Sequence, residues 1–332
     1  MTQTRTDVLA LGNAIVDVLA SAEEDFLIAQ KLTKGAMMLI DEARAESLYA
    51  AMGPARIISG GSAANTIAGL ASFGGKGAFI GKVRGDELGK LYRHDLTSLG
   101  VAFGTADATE GAATARSFII VTPDGERTMN TYLGACQGLS VADVDAKAIE
   151  NADIVYLEGY LWDPPAAKEA FRKASEIAHK AGGRVAITLS DSFCVDRYRD
   201  EFVGLIRNRM VDLVFANEHE LKSLYQTADF DTALAALRAE NILAVVTRSE
   251  KGALAVTPDG IVEEPVFPVE RVVDATGAGD LFAAGFLYGL TSNRETRDSL
   301  RLGALAAAEI ISHVGARPDV SLKTLAGNEG LL

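Results

Sequence analysis

Cysteine is almost missing from this chain. Two residues, Cys136 and Cys194, stand among 332, and no Cys-x-x-Cys occurs. That excludes a disulfide framework and a thiolate zinc site, and it suits a reducing, cytoplasmic compartment. No run of about 18 apolar residues exists, so no segment is expected to cross a membrane. Met1 to Asp7 is polar and lacks the apolar stretch of a secretory signal. Positive charge is also short: 32 Lys and Arg face 45 Asp and Glu, a net −13. Nucleic acid and acidic membranes are therefore unsuitable partners, and any phosphate ligand needs a local positive site. Neither an internal repeat nor a low-complexity linker is visible. What is present is a globular composition, 48% hydrophobic and 23% charged, on a chain long enough for one large α/β domain.

The stretch Asp274-Ala-Thr-Gly-Ala-Gly-Asp280 leads into Leu-Phe-Ala-Ala-Gly-Phe-Leu-Tyr-Gly-Leu290. The second part is apolar and reads as a buried helix, so Gly277 and Gly279 stand at its start. A helix start exposes unpaired N–H groups and the positive end of the macrodipole. It accepts an anion, and glycine lets a phosphate oxygen approach the backbone. Asp280 falls in the first turn. A carboxylate beside bound phosphate is repelled unless it has a task, such as taking a proton from an attacking alcohol. The competing reading is a plain loop-to-helix turn with an Asp near its cap. Lys76-Gly-Ala-Phe-Ile-Gly-Lys82-Val fails the Walker A pattern at its first glycine and last residue, and no dinucleotide Gly-x-Gly-x-x-Gly sits between a strand and a helix.

In chain order, Asp7 to Ala20 reads as one buried strand continuing past Gly12. Asp17, among apolar neighbours, either has a partner or faces water at a strand end. Lys34 to Asp41 reads as a strand outside the main sheet. Arg56-Ile-Ile-Ser-Gly-Gly-Ser-Ala-Ala-Asn-Thr66 is a second glycine-rich entry into a helix. Gly60 and Gly61 leave room for a ligand, Asn65 can offer it an amide, and Ser62 can serve as N-cap. Asp86 caps a further helix. Thr114 to Leu133 alternates around Asp124-Gly125, a hairpin signal. From Asp153 onward strands (153–158, 184–190, 211–216, 243–247) alternate with helices (166–181, 199–209, 218–225, 232–240), and an Ala-rich helix covers 302–313. Repeated β-α units predict a mostly parallel central sheet with helices on both faces. Ligands in such sheets sit at the strands' carboxyl ends, where Asp191, Asn217 and Thr247 fall. Asn217-Glu-His-Glu220 offers the hard oxygens that Mg²⁺ prefers, directly or through water; His219 reads as a helix-surface residue.

Asp-Ala-Thr-Gly-Ala-Gly-Asp entering an apolar helix, with Gly-Gly-Ser-Ala-Ala-Asn about two hundred residues earlier, resembles the paired signatures of the ribokinase (PfkB) family of sugar and nucleoside kinases. The likeness spans nearly the whole chain and leans to its adenosine kinase branch, in the opening Gly12-Asn-x-x-x-Asp17 and in Leu189-Ser-Asp-Ser-Phe193. It implies a ribokinase-like α/β fold: one large domain over 1–332, with a small β-sheet lid from about 14–20, 33–58 and 110–134. It implies that Asp280 is the catalytic base and that the Gly277-Ala278-Gly279 amides form the anion hole. Arg127 is either solvated or reaches the transferred phosphoryl when the lid closes. Asn13, Asp17, Gly60, Gly61 and Asn65 are implied on the acceptor side. Phe193 either stacks on a base or belongs to the core, and Leu161 falls where a second wall residue is expected, aliphatic in place of aromatic. ATP is implied against Asn217, Thr247, Ser249, Gly252 and Gly279. Ala308 and His313, on the Ala-rich helix, either wall its adenine or merely pack. Mg²⁺ is implied at Asn217 and Glu220, and the resemblance allows a monovalent cation, K⁺, near Asp274 and the Gly315 loop. The expected activity is ATP-dependent phosphorylation of the 5′-hydroxyl of adenosine or a related nucleoside. The alternatives are a kinase for fructose, ribose or a keto-deoxy acid, and a nucleoside sensor without catalysis. The expected partners are the nucleoside or sugar and ATP, on a monomer or homodimer.

Overall fold

The computed structural model describes residues 5–332; Met1 to Thr4, where the polar N-terminal stretch begins, lie outside the described residues. The strands are β1 (Thr6–Leu11), β2 (Ile15–Ser21), β3 (Met37–Leu39), β4 (Arg56–Ser59), β5 (Gly77–Ile80), β6 (Ala115–Val121), β7 (Arg127–Tyr132), β8 (Ala152–Glu158), β9 (Arg184–Thr188), β10 (Leu213–Asn217), β11 (Leu243–Thr247), β12 (Ala253–Thr257) and β13 (Gly260–Glu264). They form two sheets. The larger has the order β13-β12-β11-β10-β9-β8-β1-β5. It is parallel from β11 to β5, and β12 and β13 add an antiparallel edge that the β-α rhythm did not announce.

Alternate residues of its strands enter two separate cores. Val8, Ala10, Ile154 and Tyr156 face one; Leu9, Leu11, Val155 and Leu157 face the other. A strand buried on both faces needs an almost unbroken apolar run, as these have. Helix Pro165–Lys180 covers the second face with Phe171, Ala174 and Ala178. Helices Ser62–Ser72, Ala278–Thr291 and Thr296–Ile310 cover the first. The Ser62–Ser72 and Ala278–Thr291 helices touch closely because Gly69 has no side chain: a Cβ there would lie 2.5 Å from Leu281 Cδ1 and 2.7 Å from Ala284 Cβ. That contact sets their first turns side by side.

The single first strand expected past Gly12 is instead two strands in different sheets. A Cβ at Gly12 would stand 2.4 Å from Glu158 Oε2 and 2.6 Å from Ala63 Cβ. The next amide, Asn13 N–H, donates to Glu158 Oε1 at 3.2 Å in place of a ladder partner. The chain therefore leaves the larger sheet at Leu11 and enters the smaller one at Ile15. The smaller sheet has the order β3-β7-β6-β2-β4, with β6 and β7 antiparallel across the Asp124-Gly125 turn. One face packs Val18, Phe118 and Tyr132 on Ala45 and Leu48 of helix Glu42–Ala51. The other face, with Ile15, Asp17, Ile119, Met129, Met37 and Leu39, looks into a cavity. The helix expected from 199 begins at Ser192, because Asp191 Oδ1 caps it by accepting from Cys194 N–H at 2.6 Å.

Candidate active site

The cavity encloses about 670 Å³ between the smaller sheet and the carboxyl ends of β8, β9, β10 and β11. Its floor is made where the two helix starts meet. Gly61 ends the approach of β4 at φ +90, and a Cβ there would lie 2.2 Å from Asn13 O. Only glycine fits that turn, which delivers Ser62 and Asn65 one helical turn apart. Opposite, Gly277 adopts φ +80 and opens the Ala278–Thr291 helix without a side-chain cap. Asp280 in its first turn accepts from Ser62 Oγ at 2.6 Å and from Asn65 Nδ2 at 3.0 Å. Thus Ser62, read as an N-cap, bonds the carboxylate instead, and the helix cap position is Gly61. The Ala278 amide closes a turn on Ala275 O at 3.2 Å. Among the described residues the Gly277, Gly279 and Asp280 amides have no backbone acceptor, so they are the donors left for an anion.

Asp17 on β2 and Asn13 line the same floor. Gly60 is needed beside Asp17, since a Cβ would come within 2.3 Å of its Oδ2. Glu158, at the carboxyl end of β8, is 1% exposed. Besides Asn13 N–H, it accepts from Asn13 Nδ2 at 2.7 Å and Ala63 N–H at 2.9 Å. Withdrawal from water pushes Asp17 up to about 7, against the pull of Arg317 and Arg127. It does the same to Glu158, against those three hydrogen bonds. Desolvation also raises Asp280, opposed by Ser62, Asn65 and the Arg317 charge. A carboxylate raised toward neutrality is a better proton acceptor than one in water.

Arg127, at the start of β7, ion-pairs with Asp274 and donates to Thr276 Oγ1 at 2.9 Å. Its charge thus lies next to the Gly277 turn. Asp274 accepts further from Thr276 N–H at 3.0 Å and Gly315 N–H at 2.9 Å. With a guanidinium and two amides on this carboxylate, the donor set does not fit a monovalent cation at Asp274. Asn217 and Glu220 both line the cavity and form a reciprocal capping box at the start of helix Glu218–Leu224. Burial pushes Glu220 up to about 7, opposed by the Asn217 backbone bond. Each Glu220 oxygen accepts one bond from Asn217 and keeps a lone pair. The pair therefore fits Mg²⁺ held through water and substrate phosphate. Among the described residues no group of three or more His, Cys, Asp or Glu is disposed to cage a metal.

The smaller sheet lines the cavity with Met37, Leu39, Ile119 and Met129, and also with Ser117 and Thr131, whose hydroxyls bond each other at 2.8 Å; Phe193, on the helix after β9, lines it too. Phe193 is 77% exposed and so is not a core residue. Leu161 requires a correction: it is 1% exposed and packed in the core beneath β8. The short helical turn Gly159–Trp162 sends Leu161 and Trp162 inward and leaves Tyr160 on the cavity. Thr247 lines the cavity, whereas Ser249, Gly252, Ala308 and His313 do not. Gly252 takes φ +84 to pass Glu264, where a Cβ would lie 2.3 Å from its carbonyl oxygen. His313, expected beside ATP, is turned to Glu309, with Nε2 3.1 Å from Oε1. Sequence reasoning missed Glu158, Tyr160, the methionine wall and Arg317. Glu158 and Tyr160 had a usable signal, the carboxyl end of a buried strand.

A buried carboxylate held between two helix starts, with unpaired amides beside it, suits phosphoryl transfer to a hydroxyl group. Residues 40–323 match the pfkB family carbohydrate kinase domain, and the chain belongs to that family. It is similar to an adenosine kinase structure from Sinorhizobium meliloti, at 51% identity and TM-score 0.92, covering 98% of this chain and 100% of that one. A structure from Rhizobium etli CFN 42 named "probable sugar kinase protein" is 51% identical at TM-score 0.94, covering 99% and 100%. The ATP-dependent ribose-1-phosphate kinase of Halopiger xanaduensis is 30% identical over 264 residues, 78% of this chain and 82% of that protein. No helix among the described residues is long and apolar enough to cross a membrane.

Proposed function

We propose that this protein transfers the γ-phosphoryl of ATP to the 5′-hydroxyl of adenosine or a related nucleoside. One observation carries the choice of acceptor: besides the carboxylates and amides at the two helix starts, the cavity is lined by a set of large apolar side chains, Met37, Leu39, Ile119, Met129 and Phe193. A sugar alone needs polar groups all round, whereas a nucleoside needs a polar end for ribose and a flat apolar slot for the base. Asp17 offers two acceptor oxygens to a vicinal diol. Asn13, Gly60, Gly61 and Asn65 complete the ribose side. The base lies between Phe193 and the Met37, Leu39 and Met129 side chains, with Tyr160 beside it.

In this reading the 5′-oxygen displaces the Ser62 or Asn65 bond at Asp280 and gives its proton to that carboxylate. The amides of Gly277 and Gly279 receive charge developing on the transferred phosphoryl. Arg127, held beside Thr276 by its ion pair with Asp274, adds a guanidinium next to these amides. Asn217, Glu220 and Thr247 sit on the nucleotide side, with the Ser249–Gly252 turn and Ala308 farther out. Asn217 and Glu220 would hold Mg²⁺ through water, and the ion would supply positive charge against the ATP phosphates. The two unpaired, buried thiols suit the cytoplasm. The test is an Asp280→Asn enzyme of unchanged melting temperature. Loss of about two to four decades in kcat is expected for a general base; near-normal turnover would remove Asp280 from that role.

A second reading, phosphorylation of a sugar or sugar phosphate, is favoured by the ribose-1-phosphate kinase relative. Both readings use the ribosyl floor and differ only at the apolar wall. A panel of adenosine, other nucleosides, ribose, ribose 1-phosphate and fructose with labelled ATP separates them.

A further inference from the structure

We propose that Arg317 is a positioning residue for phosphoryl transfer: its guanidinium orients the Asn65 amide against Asp280 and supplies the counter-charge for Asp17 and Asp280. The inference rests on the reading of Asp280 as base. The loop that carries Arg317 is pinned on both sides. Gly315 N–H donates to Asp274 Oδ2 at 2.9 Å, and Asp319 and Val320 N–H donate to Glu309 Oε1 at 2.9 and 3.3 Å. Held this way, Arg317 points inward, and its Nε donates to Asn65 Oδ1 at 2.9 Å. An amide whose oxygen is fixed by a donor must present its nitrogen on the other side. That nitrogen is the one 3.0 Å from Asp280 Oδ2. Without Arg317 the Asn65 amide is free to turn its oxygen toward the carboxylate, and the bond becomes a repulsion.

The charge matters separately. Asp280 is surrounded by anions and weak acids: Asp17 from β2, Glu158 and Tyr156 from β8, Tyr160 after it, and Glu220 from the helix after β10. Arg317 is the cation that acts on Asp280 against them, and with Arg127 it acts on Asp17. Its Nη2 is buried with no hydrogen-bond partner among the described residues. The group is therefore not saturated as a structural fork; burial pulls its own proton affinity down while the acids around it hold the proton on.

Two variants separate orientation from charge. Arg317→Gln can keep a donor to Asn65 and loses the charge; Arg317→Lys keeps the charge and loses the planar fork. Each is assayed for kcat and KM across pH beside Asp280→Asn, with folding checked by circular dichroism. For Arg317→Gln the acid limb of kcat is expected to rise by about 1 pH unit, the scale of one opposite charge at close range. Its kcat falls about 10- to 100-fold with KM for ATP little changed. For Arg317→Lys the limb stays at the wild-type position while kcat falls less. An acid limb unmoved in Arg317→Gln overturns the proposal, as does equal loss in both variants with an unchanged profile. Failure of both to fold also overturns it, since Arg317 is then a core ion. Full activity in Asp280→Asn with the limb still shifted in Arg317→Gln sinks the base reading alone.

Discussion

Raising the pH from about 5.5 to about 8 should weaken the ligand-free fold, opposite to the usual behaviour of paired carboxylates. Asp17, Glu158 and Glu220 carry the reason. Withdrawal from water lifts each to about 7, from 3.8, 4.5 and 4.5. Near pH 5.5 the folded chain still holds protons that the unfolded chain has already released. Stability falls with pH wherever the folded state binds more protons, so this contribution is full below the unfolded values and disappears as pH climbs through 7. Integration over the interval gives about 2 kcal/mol per group, and at most about 6 kcal/mol for the three. Asp86 and Glu218, held below their ordinary range, act in the opposite direction only under more acid conditions. Urea unfolding followed by the fluorescence of Trp162, the single and fully buried tryptophan, measures the difference. Glu158→Gln should remove about a third of it. A fold equally stable at both pH values, or more stable at the higher, refutes the claim that these carboxylates are held partly protonated. The same logic predicts that an acceptor diol, by bonding ionised Asp17, binds with proton release.

Three further outcomes follow from the site. Phe193→Ala should raise KM for the nucleoside about tenfold, on the scale of one aromatic contact, with no change in melting temperature because the ring is 77% exposed. Leu161→Ala should do the reverse, costing about 2–5 kcal/mol of stability with KM unchanged in the folded enzyme; a matching KM increase would return Leu161 to the wall. Replacing K⁺ with a large organic cation at constant ionic strength should leave kcat unaltered, because Arg127 occupies the Asp274 carboxylate. A steep loss of activity would show that the ion pair gives way to a cation.

The parts of this enzyme readable in the amino-acid order are those fixed by local backbone demands. Gly61 and Gly277 need positive φ at helix starts, and each start brings its polar residues along, so Asn65 and Asp280 were both identifiable. The β-α alternation revealed the parallel sheet because doubly buried strands cannot hide their composition. What escaped depends on contacts between distant segments. The break at Gly12 is dictated by Glu158, 146 positions away. Leu161 and Tyr160 differ by one residue in a helical turn, and spacing alone does not say which points inward. Met37 and Leu39 fall in a segment readable as a lid strand outside the main sheet, but which of its side chains line the cavity depends on β3 pairing with β7. Arg317 has no local signature, because its role comes from the loop that Glu309 and Asp274 hold.

The switch between sheets at residues 12–14 has a mechanical consequence. Asn13 is bonded to Glu158 at the end of the larger sheet, while Asp17, four residues later, belongs to the smaller sheet. On the proposed reading, the two residues that hold the ribose thus stand on different sheets, with three residues between them. A shift of the smaller sheet against the larger would change the spacing of that pair and carry Arg127, on β7 of the same sheet, with it.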